Sequence, residues 1–133
     1  MVNALRCRQT DAEWSYRYLD QHSHPATVGR TTSVDTRIPE RELLLALKLH
    51  SGRLTDARDV VAAAPDADFD RIEPHLHRGD PDALAEQLAD ISEQLADESF
   101  DDAFKGEFQQ QTVPDATIER VRDFLAAQQE RLR

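Results

Sequence analysis

Lysine is nearly absent from this chain: of 16 basic residues only Lys48 and Lys105 are lysines, and the rest are arginines. Cysteine occurs once, as Cys7, which excludes an internal disulfide and suits a reducing compartment. No apolar run approaches the ~18 residues that a membrane span needs, and no signal-peptide pattern opens the chain. These absences point to a soluble, cytoplasmic protein with no membrane partner. Positive charge is also scarce, since 26 acidic residues leave a net charge of −10. A field of that sign argues against direct DNA binding and other non-specific nucleic-acid contacts, which need clustered Lys and Arg against phosphates.

The residues that are plentiful fit that picture. Aspartate exceeds glutamate, arginine exceeds lysine, and 32% of residues are charged against 39% hydrophobic. This is a halophilic-type composition, in which an acidic surface stays hydrated in concentrated salt. At 133 residues the chain suits one domain and can bury roughly two thirds of its unfolded surface.

Composition shifts near residue 38. Residues 1–38 carry four acids and five arginines, whereas residues 39–133 carry 22 acids and 11 bases. The first segment also holds the Trp, both Tyr and the Cys. In "EWSYRYLD", Trp14, Tyr16 and Tyr18 alternate as one face of a short strand would. No convincing strand partner stands nearby, and "TVGRTTSVDTR" is polar and β-branched, so a β fringe and disorder are both open for residues 1–38. The segment is atypical beside residues 39–133, and is expected to add little to the core.

From Pro39 the signals are helical. "PERELLLALKLHS" has Pro39 placed for N1 and stops near Gly52. Thr55 is placed to cap a second helix, with Asp56 and Asp59 early in it and Pro65 closing it. Asp68 starts a third, bent at Pro74 and ended by Gly79. Asp80–Pro81 opens a fourth, whose Leu84, Leu88, Ile91 and Leu95 form a 4-3-4 stripe. Ser99 opens a fifth with Phe100, Phe104 and Phe108 in line. A last helix runs from about Pro114 to Leu132 with Ile118, Val121 and Leu125 on one face. The expected fold is mainly α: about six helices in a bundle over residues 39–133, with a β fringe or disorder before it.

One residue breaks the pattern. At 100° per residue Lys48 falls between Leu44 and Leu45, with Arg41 seven residues back on the same line. Such a lysine can lay its stem on apolar surface with its ammonium in water, or its ammonium can reach a phosphate in a cleft. Asp56 and Asp59 likewise suit the helix macrodipole, worth roughly 0.3–1 kcal/mol each.

The combination is more specific. Lys48, Arg53, Asp56 and Asp59, after a leucine run and before Val60–Val61, resemble the helical motif of polymerase-β-like nucleotidyltransferases. The likeness is to the group of minimal nucleotidyltransferases and abortive-infection-type toxins, with "LLALKL-x-A-x-R" followed by "KD-x-x-D". It spans about residues 38–130, although the motif itself covers fewer than twenty, and Thr55 departs from the usual basic residue. The resemblance implies nucleotide-binding roles for Lys48 and Arg53, a structural role for Arg53 and Asp56 in bracing the turn, and a place in the motif for Asp59. It implies Mg2+ and a nucleoside triphosphate as the family's cofactor and substrate, and a catalytic partner or cognate antitoxin as partners.

The same family carries Gly-Ser followed by D-x-D in an N-terminal α/β region, where carboxylates hold the metals. No Gly-Ser pair occurs here. The acidic triplets at 66–68 and 80–82 fall in helix-start loops, so no metal ligand and no catalytic residue is assigned and no cofactor is placed in this chain. The chain then reads as a truncated transferase, helical and inactive without a catalytic domain. The alternative is a small acidic helical interaction module with no catalytic role. His50, His75 and His77 make a poor metal set, because H-x-H on a helix splays its imidazoles by about 200°. The helices around Gly52 suit a helix-turn-helix poorly, being too acidic for DNA phosphates. Cys7 has no histidine nearby in sequence to make a nucleophile pair.

Overall fold

The leucines of "RELLLALKLHS" are buried on two sides, and that decides the architecture. In a computed structural model, which describes residues 4–97, 100 and 115–133, this stretch is helix α2, Arg41–Ser51. Leu45, Ala46 and Leu49 enter the main core, while Leu43, fully buried, turns to a second cluster with Ala12 and Trp14. One helical layer cannot cover both faces.

The second cover comes from residues 4–39. Strands β1 (Ala4–Cys7) and β2 (Ala12–Ser15) pair antiparallel, with Leu5 opposite Trp14 and Cys7 opposite Ala12. Asp11 takes a left-handed conformation (φ 55°) in their turn, which an aspartate tolerates better than most residues. Ser15 then caps helix α1 (Tyr16–Gln21), its hydroxyl accepting from the Tyr18 amide at 3.0 Å. A second hairpin comes next, β3 (Ser23–Val28) with β4 (Val34–Pro39), from Ser23 opposite Pro39 to Val28 opposite Val34.

The expected mainly α six-helix bundle, with a β fringe or disorder before it, is therefore corrected. The chain is mixed α/β, mainly helical, with two small antiparallel two-stranded sheets. The disorder alternative for its first part is overturned as well, since Trp14 is 1% exposed and its indole donates to the His75 carbonyl at 2.9 Å. The alternation of Trp14, Tyr16 and Tyr18 is not one strand face, because Ser15 ends the strand by starting a helix. Pro39 closes β4, and Glu40 takes the N-cap position of α2.

The later elements obey their caps. Gly52 ends α2 in the left-handed region (φ 67°), where a Cβ would meet the Gln87 side chain that donates to the His50 carbonyl. Helix α3 (Leu54–Ala63) has Arg53 at its N-cap, so Thr55 lies inside the helix and does not cap it. Asp68 caps a single 3-10 turn, Phe69–Arg71, and Pro74 sits within the first turn of the short α4, Glu73–Leu76. Asp80 accepts from the amides of Asp82 and Ala83 to start α5 (Pro81–Ala96), whose Leu84, Leu88, Ile91 and Leu95 are all buried. Helix α6, Asp115–Arg131, buries Val121 and Leu125 against this core. Phe100 is buried in the same core, whereas Phe104, Phe108 and Pro114 lie outside the described residues. No helix among the described residues is long and apolar enough to cross a membrane.

Candidate functional site

Lys48 lies on the boundary its wheel position implies. Leu44 on one side is 38% exposed, Leu45 on the other is 2% exposed, and the Lys48 side chain is 29% exposed. Its ammonium donates to Asp59 at 2.7 Å and lies 3.4 Å from the Asp56 carboxylate. The hydrogen bond to Asp59 raises the Lys48 pKa above its ordinary value, against a smaller opposing effect of burial, and the two carboxylates keep the ammonium charged.

The two aspartates differ. Asp56 is 1% exposed, accepting from the Arg53 amide at 3.1 Å and from the Arg53 guanidinium Nε at 2.9 Å. Burial alone would raise its pKa, but hydrogen bonds from Arg53, Ser51 and Lys48 outweigh that and hold it below the ordinary value. Asp56 thus reaches back from the third helical position and satisfies the N-cap amide of α3. Asp59, further along α3, is 38% exposed and meets Lys48 from the solvent side. All four residues that the sequence singled out come together, as a brace between α2 and α3 with no net charge.

A groove of about 810 Å3 runs beside the brace, its wall including His24, Arg41, Leu44, Lys48, Asp59 and Asp66. Arg41 and Lys48 stand on one line of α2, and each faces a carboxylate from the α3 side: Arg41 pairs with Asp66 at 2.9 Å, as Lys48 does with Asp59. Asp66 is 80% exposed. The acidic triplets are spent locally, with Asp66 on Arg41 and both Asp68 and Asp80 capping turns.

The histidines fall into different sites. His50 is fully buried between β1–β2 and α4, and its Nε2–H donates to the Leu76 carbonyl at 2.7 Å. Its Nδ1 then accepts from the Thr10 hydroxyl at 2.6 Å, and burial holds its pKa below the ordinary value. His77 pairs with Gln128 at 2.6 Å. His75 joins neither. Its Nε2 lies 2.7 Å from Glu40 Oε1, and since a carboxylate only accepts, Nε2 carries the proton. Its Nδ1 accepts from the Tyr18 hydroxyl, and His22 Nδ1 lies 3.6 Å from the same Glu40 oxygen. This Tyr18–His22–Glu40–His75 group had no signal in the sequence. Its members are spread over 57 residues, and only the packing of the hairpins on α2 and α4 collects them.

No protein-family model, curated protein or solved structure matches this chain.

Proposed function

We propose that this chain is the helical part of a nucleotidyltransferase-type protein, cytoplasmic and not catalytic alone, whose α2 groove borders a nucleotide held by a catalytic partner. The observation that carries this is the pairing on the groove wall. Two cations on one line of α2, Arg41 and Lys48, are each neutralised by a partly or largely exposed carboxylate, Asp66 and Asp59. Lys48 also keeps a fixed partner in buried Asp56. A phosphate can replace the exposed aspartate without leaving Asp56 unpaired, because Arg53 still holds it. Lys48 is thus the phosphate-facing group of this reading, and Arg53 acts through Asp56.

The test is a titration of the protein with ATP, with and without Mg2+, read by amide chemical shifts. Shifts centred on Arg41 and Lys48, strengthened by Asp59→Asn and lost on Lys48→Ala, are expected. Shifts absent in the wild type, or unchanged by both variants, would refute the reading.

A second reading rests on Val28, Val34, Ile38 and Leu44, which are 46%, 56%, 38% and 38% exposed. Such a set on the β3–β4 hairpin and the adjoining helix favours a protein-interaction module. Stable capture of a catalytic protein at high salt supports the first reading. Self-association with no nucleotide response supports the second.

A further inference from the structure

We propose that His22, Glu40 and His75 form a binding site for a divalent transition metal, with zinc as the best fit. Among the described residues this is the group of His, Cys, Asp and Glu whose ligand atoms converge, all within 4.8 Å of one another. Two imidazole nitrogens and one carboxylate oxygen suit zinc and its neighbours, whereas magnesium and calcium prefer oxygen alone.

The three ligand atoms, all within 4.8 Å of one another, reach an ion's spacing once the two histidines draw in and Glu40 opens from His75. Zinc bonds of about 2.0–2.2 Å set tetrahedral ligand atoms roughly 3.3–3.5 Å apart. Glu40 Oε1 and His22 Nδ1 are 3.6 Å apart, and Glu40 Oε1 and His75 Nε2, at 2.7 Å, need only open by the width of a lost hydrogen bond. The ligands are held from behind. The Glu40 amide donates to the His22 carbonyl at 2.8 Å, and Trp14 holds the His75 carbonyl. Arg71 holds the other Glu40 oxygen at 2.9 Å, leaving Oε1 to turn toward an ion. Partial exposure of His22 and Glu40, at 35% and 23%, lets water complete the coordination.

Tyr18 makes the site chemically consistent. When Nε2 of His75 takes the metal, the proton it carries moves to Nδ1, so no net proton need be lost from the ring. Nδ1–H then donates to the Tyr18 oxygen, which accepts where it had donated. A phenol can do both. Outer partners of this kind fix the tautomer and orientation of a metal-bound histidine. The Arg78 guanidinium lies over the Tyr18 ring, 4.1 Å from its centre, and helps hold the phenol in place.

The experiment uses the full chain stripped with chelator, then titrated with Co2+ as a visible probe, with Zn2+ in competition, and with Mg2+. One equivalent of Co2+ should give ligand-field bands that Zn2+ abolishes and Mg2+ does not. His22→Ala, at a half-exposed position, should weaken binding more than tenfold, and Tyr18→Phe by about ten- to hundredfold. Cys7→Ser and His24→Ala should leave it unchanged. X-ray absorption of the loaded wild type should report two imidazoles, one carboxylate and no sulfur, independently of whether any variant folds. Absence of stoichiometric bands, sulfur in the coordination sphere, or binding untouched by His22→Ala would overturn the proposal.

Discussion

Replacing Trp14 with alanine tests whether the first hairpin is a working part of the fold. The indole is 1% exposed, lies edge-on to His50 with ring centres 4.9 Å apart, and covers Leu43 on the side of α2 away from the helical core. Burying such a ring removes on the order of 200 Å2 from water, roughly 5 kcal/mol at 25 cal/mol per Å2. Truncation of buried Trp or Phe costs about 3–5 kcal/mol in practice. The hydrogen bond separates from the volume. Trp14→Phe keeps most of the apolar surface but leaves the His75 carbonyl without its donor, for about 1–3 kcal/mol. Against a typical total of about 5–15 kcal/mol, the alanine variant should be close to unfolded at physiological temperature. Urea unfolding tracked by far-ultraviolet circular dichroism gives both numbers, since the only Trp is the residue removed. A loss below about 1 kcal/mol for Trp14→Ala would show that the segment is dispensable, as its composition suggests, and that Trp14 does not hold the hairpin to α2.

Three further outcomes arise from the charges. Melting temperature should rise by several degrees between 0.1 and 2 M potassium chloride, because a net charge of −10 repels itself over a Debye length that shrinks from about 10 Å at 0.1 M to about 3 Å at 1 M; an unchanged value removes the case for salt adaptation. Burial holds His50 below its ordinary 6.5, so the unfolded chain takes up that proton first as pH falls. Its stability contribution is full above about pH 6.5 and lost below it, and His50→Gln should flatten the pH dependence of urea midpoints between pH 8 and 5. Asp56→Ala should cost about 1.5–3 kcal/mol and Asp59→Ala less than about 1, since the first loses buried charge-assisted bonds and the second a partly exposed pair. Equal losses would mean that the brace is not asymmetric.

Much of the helical frame was legible because its signals are local. Asp80 and Pro81 start α5, Gly52 stops α2, and a 4-3-4 stripe buries the face it marks. The contact of Arg53 with Asp56 was expected only through the family resemblance, not from periodicity or composition. The hairpins were not, for a physical reason. Strands of four and six residues pair only with each other, carry polar residues such as Arg6, Glu13 and Asp35, and bury few side chains. Their stability comes from what Trp14 and Tyr18 touch in α2 and α4, and such contacts leave no periodicity. Pro39 misled in the same way, since an N1 preference and a strand end look alike until the pairing with Ser23 is known.

The two-sided burial of α2 also explains why a rare lysine sits among its leucines. With Leu43 facing the hairpin and Leu45, Ala46 and Leu49 facing the helices, only a narrow line through Arg41, Leu44 and Lys48 remains toward solvent. That line is the groove wall. A neutral residue at 48 would leave Asp56 with Ser51 and Arg53 as its hydrogen-bond partners, and the Arg53 side chain is 72% exposed. An arginine there would bring a broad fork where a compact ammonium meets Asp56 and Asp59 at once. In a chain that uses arginine nearly everywhere else, Lys48→Arg should therefore weaken the link between α2 and α3 while keeping its charge. Lys48→Met should keep the stem packing and lose both ion pairs to α3. If both variants matched the wild type in urea, the brace would contribute nothing to folding, and the case for Lys48 would rest on phosphate alone.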